Sequence, residues 1–284
     1  MKRLLHLSDL HFGRVRPELL DPLIDRVNDL APDLVAISGD LTQRARTWQY
    51  MRAHELIDRI AAPCLIVPGN HDTPLDRPLE RFFTPWRRYR KWIDDDLEPQ
   101  VHDADWSVIG VNSVNHFSWQ RGRFGHRLIH RVRQGFADTP ADAFRIVVAH
   151  HPLEHRPEDD KALPRGAGAA RRALAEARTD ILLTGHLHNW RADLFGDPGR
   201  QVLQIHAGTV LSDRLRGQQN DFNLLTLDGD TVQVDRHASR ADATGYDLER
   251  SVIFIRDGDG WQFAPEPPVE TEPEKPRVAT LSRR

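Results

Sequence analysis

One cysteine, Cys64, stands in 284 residues, so no intrachain disulfide can form. It lies in an apolar run that reads as a strand, and a single buried thiol suits a cytosolic protein. Long hydrophobic runs are missing as well, and no stretch approaches the length of a membrane span. The opening Met1-Lys2-Arg3-Leu4-Leu5 starts like a signal peptide, but the apolar run ends by Leu7, and Asp9 and His11 follow. The expectation is a cytoplasmic protein without a membrane partner. An excess of positive charge is absent too. The formal net charge of −3 speaks against a chain built mainly to grip nucleic-acid backbones, and no stable nucleic-acid partner is expected. There is no internal repeat, and no cysteine or serine stands in a nucleophile motif.

What is present is a globular composition, 39% hydrophobic and 29% charged, enough for an ample core. Arg3 to Leu7 reads as a short strand. Leu19, Leu20, Leu23, Ile24, Val27 and Leu30 then recur at helical spacing. Leu34 to Ile37 is a second buried strand, Thr47 to Ile60 a second helix, and Cys64 to Val67 a third strand. Alternation of this kind implies parallel strands with covering helices, and ligand sites form at the carboxyl ends of such strands. Trp106 to Val111, Phe144 to Ala149 and Ile181 to Thr184 are further strands, with a helix from about Ala167 to Arg178. The basic stretch Arg121 to Arg133 has Leu128, Ile129 and Val132 at helical spacing and reads as a solvated helix face rather than a phosphate-binding surface. Residues 73 to 97 have poor periodicity and read as loop and irregular helix. Beyond residue 188, Gln201–His206, Phe222–Leu227, Thr231–His237 and Ser251–Arg256 read as an antiparallel set. The expected organisation is one domain over 1–264 and a disordered Pro- and Glu-rich tail over 265–284.

Five of the strands end in side chains that bind metals or move protons: Asp9 and His11; Asp40; Asn70, His71 and Asp72; His150 and His151; His186 and His188. Each cluster alone has an ordinary explanation. Val67-Pro68-Gly69-Asn70-His71-Asp72 reads equally as a surface turn, and a lone histidine is more often structural than a ligand. Asp9 and His11 alternate with Leu10, which is expected to point both to one side of the ending strand. Five clusters, each directly after a buried strand, converge on one crevice. Mixed imidazole, carboxylate and amide donors suit Mn²⁺, Fe or Zn²⁺ better than Ca²⁺.

The same residues carry a resemblance. Asp9-x-His11, Gly39-Asp40, Gly69-Asn70-His71-Asp72, His150-His151-Pro152 and Gly185-His186-x-His188 are similar, in order, to the five motifs of the calcineurin-like metallophosphoesterases. The resemblance implies an α/β fold, a four-layer α/β/β/α sandwich, with the strands after residue 188 supplying the second sheet. It implies two divalent metal ions as cofactors: one held by Asp9, His11 and His188, the other by Asn70, His150 and His186, with Asp40 bridging. His151 is the fallback for His150. It further implies that His71 stays off the metals and faces the scissile phosphate, its ring oriented by Asp72, while a metal-activated hydroxide attacks phosphorus. The opening Leu-Ser-Asp-Leu-His-Phe-Gly and the paired histidines look like the cyclic-nucleotide phosphodiesterase branch, so a small phosphoester, a cyclic nucleotide among the candidates, is the expected substrate. The alternatives are a DNA-repair-type exonuclease on the same fold, for which the chain has little room, and a non-catalytic scaffold, which retention of every ligand opposes. Residues 73 to 130 do not spell out a substrate.

Overall fold

Apolar runs buried on both faces become parallel strands. The computed structural model describes residues 1–264 apart from 157–158, 198 and 258–259; the tail expected to be disordered lies outside the described residues. β1 (Lys2–Leu7), β2 (Leu34–Ile37) and β3 (Cys64–Ile66) run parallel, Leu5 opposite Val35 and Val35 opposite Cys64. They are joined through α1 (Leu20–Asp29) and α2 (Thr47–Ile57). Two short helices, α3 (Pro78–Phe83) and α4 (Arg87–Trp92), occupy the stretch expected to be irregular. β4 (Gln100–His102) and β5 (Trp106–Val111) come next, then α5 (His126–Gly135), β6 (Phe144–Ala149), α6 (Ala167–Glu176) and β7 (Ile181–Thr184). The remaining strands are β8 (Arg191–Phe195), β9 (Val202–His206), β10 (Asp221–Asp228), β11 (Thr231–Ser239), β12 (Tyr246–Asp257) and β13 (Gly260–Phe263).

Two sheets result, in the orders β13-β12-β11-β10-β1-β2-β3 and β4-β5-β6-β7-β9-β8. The period-2 alternation of each strand divides its side chains between two cores. Leu4, Ala36 and Leu65 face Ile146, Val148 and Leu183 between the sheets, while Leu5, Val35 and Ile37 pack outward with Leu23, Val27 and Tyr50. On the far side Val147 and Leu182 meet Val132, Ala170 and Leu174 of α5 and α6. This is the four-layer α/β/β/α sandwich.

The sheet assignment of the C-terminal strands differs from the sequence reading. β9 pairs parallel with β7, whereas β10 to β12 extend the first sheet antiparallel from β1, Leu4 opposite Leu225. The second sheet therefore comes from the middle of the chain. Pattern reveals that a strand exists but not which edge it joins, because pairing is a long-range choice. β4, with three residues, and β8, whose Arg-Ala-Asp-Leu-Phe mixes charge into the run, gave no strand signal. The helix expected from Arg121 begins only at His126.

The loop after β9 is anchored by a buried ion pair. Asp221 accepts hydrogen bonds from the Gly208 N–H at 2.7 Å and from Arg236 Nε and Nη2 at 2.9 and 2.6 Å. Burial pushes the Asp221 carboxyl up, against the pull of Arg236, to about 6. Arg236→Met would strand a buried carboxylate and is expected to cost about 3–5 kcal/mol. Urea unfolding measures this, and a loss below about 1 kcal/mol, the range of exposed pairs, would show that the pair is dispensable.

Candidate metal centre

The side chains that cluster here are presented by backbone that most residues avoid. Asp9, His11, Asp40, His186 and His188 all have positive φ, between 49° and 72°, and make up five of the nine non-glycine residues in that state among the described residues. Such conformations cost free energy and gather at functional sites. Asp9 and His11 therefore do not meet by strand alternation, as the sequence suggested. β1 ends at Leu7, and left-handed turns aim the two side chains together. The loops also lie unusually close. A Cβ on Gly69 would stand 2.2 Å from Asp40 N and Oδ1, and one on Gly185 would stand 1.8 Å from Ser8 Oγ and 2.3 Å from Asp9 Oδ2. Glycine at these two motif positions is what lets strand ends from both sheets close over one point.

Their donor atoms fall into two groups. Asp9 Oδ1 lies 3.4 Å from His11 Nε2 and 3.1 Å from His188 Nε2, and the two imidazole nitrogens are 3.0 Å apart. On the other side, His150 Nε2 lies 3.1 Å from Asn70 Oδ1 and 3.2 Å from His186 Nδ1. Asp40 joins them through a single oxygen: Oδ2 is 3.7 Å from His11 Nε2 and 3.4 Å from His150 Nε2. Its other oxygen accepts the His71 backbone N–H at 2.8 Å. All these residues are buried, and Asp9 Oδ1 has no hydrogen-bond partner among the described residues. An orphaned buried carboxylate oxygen facing two ring nitrogens is costly unless a cation completes the group. Borderline nitrogen and oxygen donors suit Zn²⁺, Mn²⁺ or Fe, so the residues fit a metal.

Outer partners fix several of the rings. His150 Nδ1–H donates to the Ser38 carbonyl at 2.8 Å and His188 Nδ1–H to the Arg214 carbonyl at 3.0 Å, which turns Nε2 of each toward the cluster. Asp9 Oδ2 accepts from Ser8 Oγ at 2.6 Å and from the His186 N–H at 2.9 Å. Ser38 in turn donates to Ser8, and His6 Nε2 reaches Ser38 Oγ at 2.9 Å. His151, the fallback, has both nitrogens engaged, Nδ1 with Ser113 Oγ at 2.8 Å and Nε2 with the Gln120 carbonyl at 2.9 Å. Burial and the neighbouring His150 push His151 down to about 3, so it stays neutral.

His71 and Asp72 are placed side by side but do not act as a pair. The ring-orienting partner expected of Asp72 is instead the Gln43 carbonyl, which accepts His71 Nδ1–H at 2.9 Å. Asp72 turns away and accepts the backbone N–H groups of Leu41, Thr42 and Gly69 and the Thr42 hydroxyl, at 2.9 to 3.2 Å. A residue so close in sequence reaches those N–H groups more readily than a ring pointing into the crevice. Asp72 thus shapes the loop. His71 Nε2 is left facing Arg214, whose Nη1 is 3.4 Å away.

The electrostatics follow from two buried carboxylates among rings. Burial opposes ionisation of Asp40, but His150, His71 and His11 outweigh it and hold the carboxyl well below the ordinary range. Burial likewise disfavours charge on His150, yet Asp40 raises it to about 9. Burial pushes His11 down to about 4 and lowers His71. Three residues of the site had no sequence signal. Gln43 orients His71, and Arg214 touches His71 through its side chain and His188 through its carbonyl. Lys161, pushed down by burial to about 8, donates to the His186 carbonyl. All three come from loops whose approach is set by the tertiary fold.

This chain is similar to several known proteins. The 3',5'-cyclic adenosine monophosphate phosphodiesterase CpdA of Escherichia coli (strain K12) is 28% identical over 162 residues, 55% of this chain and 54% of that protein. This chain thus aligns with about half the length of that relative. A probable cyclic nucleotide phosphodiesterase of Rhodopseudomonas palustris is 23% identical over 274 residues, 88% of this chain and 97% of its own length. Among solved structures, purple acid phosphatase PPD1 from yellow lupin superposes with a TM-score of 0.70 at 14% identity, over 90% of this chain and 54% of that one, a likeness of fold. The family described as calcineurin-like phosphoesterase matches residues 2–190, the stretch that carries every cluster described above, and the chain belongs to that family.

Proposed function

We propose that this protein is a dinuclear-metal phosphodiesterase acting on a small phosphoester, with a cyclic nucleotide as the foremost candidate. The observation that carries the proposal is the single Asp40 oxygen shared by two separate donor groups. Asp9, His11 and His188 would hold one ion, Asn70, His150 and His186 the other, and Asp40 both. When bound, divalent ions supply Lewis acidity toward phosphoryl oxygens and acidify a water nucleophile. The chain supplies the rest. Arg214, beside His71, offers a planar guanidinium for a non-bridging phosphate oxygen. His71, when protonated, keeps one N–H on the Gln43 carbonyl and aims the other, on Nε2, at the leaving oxygen. Burial and Arg214 lower its pKa, which makes the ring a stronger acid toward that oxygen. The cyclic-nucleotide preference draws on the names of the relatives from Escherichia coli and Rhodopseudomonas palustris.

The purified protein is expected to hydrolyse bis(p-nitrophenyl) phosphate with Mn²⁺, to lose this activity to a chelator and regain it on Mn²⁺ addition. Little processive degradation of duplex DNA is expected, given the net charge of −3. Robust exonuclease activity with a steep salt dependence would favour a repair-type nuclease instead.

A further inference from the structure

α3 is built inside out. Its buried residue is Arg81, whereas Leu79, Phe82 and Phe83 stand 74%, 46% and 79% exposed. A helix lying against a core does the reverse. Phe117 and Trp119, on the loop after β5, are also exposed, 72% and 61%. Phe82 stacks on Phe117 with ring centroids 5.8 Å apart, so the two segments form one apolar strip.

Arg81 is the staple beneath this strip. Its Nη2 donates to the Ser118 carbonyl at 2.6 Å, and its Nη1 donates to Thr73 Oγ1 at 2.7 Å and to the Pro74 carbonyl at 3.3 Å. No carboxylate pairs with it among the described residues, and burial lowers its pKa. Burying a guanidinium without a counter-charge is costly. Here that cost secures the strip to the loop of Asn70 and His71, because Thr73 Oγ1 also donates to the Asn70 carbonyl at 2.9 Å. The strip is a rigidly held lip beside the donor cluster, and its apolar residues point at solvent.

The charge around it has one sign in excess. Exposed Arg77 and Arg87 flank α3, and exposed Arg121 and Arg123 follow Trp119. The carboxylate of Glu80 is taken up by Arg88 at 2.6 Å, with Arg77 and Arg87 nearby, which leaves Asp76 as the exposed acid of the segment. Phenylalanine, leucine and tryptophan bordered by arginine is the composition that lies in the headgroup region of an anionic bilayer, rings at the interface and guanidiniums on phosphates. We propose that this strip docks the protein peripherally on an anionic phospholipid surface, next to the donor cluster. No helix among the described residues is long and apolar enough to cross a membrane, and peripheral attachment needs none. The inference stands independently of the reaction proposed above.

The test is sedimentation of the full chain with vesicles of phosphatidylcholine, with and without phosphatidylglycerol. The wild type is expected to sediment with the anionic vesicles, less so at high salt, and not with the neutral ones. The Phe83→Ser/Phe117→Ser/Trp119→Ser variant should lose about tenfold or more in affinity, and Arg121→Gln/Arg123→Gln about fivefold per arginine. Circular dichroism and hydrolysis of a soluble ester should be unchanged in both. Failure of the wild type to bind anionic vesicles, or undiminished binding by the triple serine variant, would overturn the proposal. So would a wild-type dimer in sedimentation velocity that the triple variant breaks, since a second copy would then cover the strip.

Discussion

Asp40→Ala should reduce turnover by more than about 10³-fold, beyond the cost of removing one preorganised electrostatic group, and should weaken metal binding at both positions. The reason is geometric. Asp40 Oδ2 is the atom within 3.7 Å of His11 Nε2 on one side and 3.4 Å of His150 Nε2 on the other. The same carboxylate also holds the His71 N–H through Oδ1, so its loss frees the loop that carries Asn70. Asn70→Ala removes a donor from one group only and should weaken one site while leaving the other near its original affinity. Calorimetric metal titration separates the cases. Two undisturbed binding events in Asp40→Ala would sink the bridging role.

His71→Ala should lower kcat by roughly 10²–10⁴-fold with metal content unchanged. The loss should be largest on an alkyl phosphodiester and small on a p-nitrophenyl ester, whose acidic leaving group needs little protonation. The Gln43 carbonyl engages His71 Nδ1 and Arg214 Nη1 stands 3.4 Å from Nε2, so both ring nitrogens have partners even though His11 and Asp40 lie near. Removing it should therefore not strip a ligand. Equal impairment on both esters would reduce His71 to a positioning residue, and lost metal would make it a ligand.

Much of the architecture was legible because strands buried on both faces leave plain signatures. Leu34–Ile37 and residues 146–149 and 181–183 are unbroken apolar runs, and each is followed by the polar residues that its carboxyl end presents. Conformation at those ends was not legible. The pattern Asp9-Leu10-His11 suggested a strand, whereas both polar residues are left-handed. That state is imposed by the opposing loop, through Asp9 N–H to the Gly39 carbonyl and His11 N–H to the Asp40 carbonyl. The choice of Gln43 over Asp72 as the partner of His71 was equally hidden, because a backbone carbonyl carries no sequence identity. Arg214 lies 143 positions from His71, in a loop with no periodicity to mark it. α3 was legible only as part of an irregular stretch, because six residues without apolar periodicity carry no clear helix signal.

The central claim is that one chain holds two ions that share Asp40. Crystals grown with Mn²⁺ and measured at the manganese absorption edge test it most directly. The result expected is two anomalous peaks, one among Asp9, His11 and His188 and the other among Asn70, His150 and His186, with Asp40 Oδ2 bound to both. A single peak, or two peaks of which one lies away from Asp40, would contradict it.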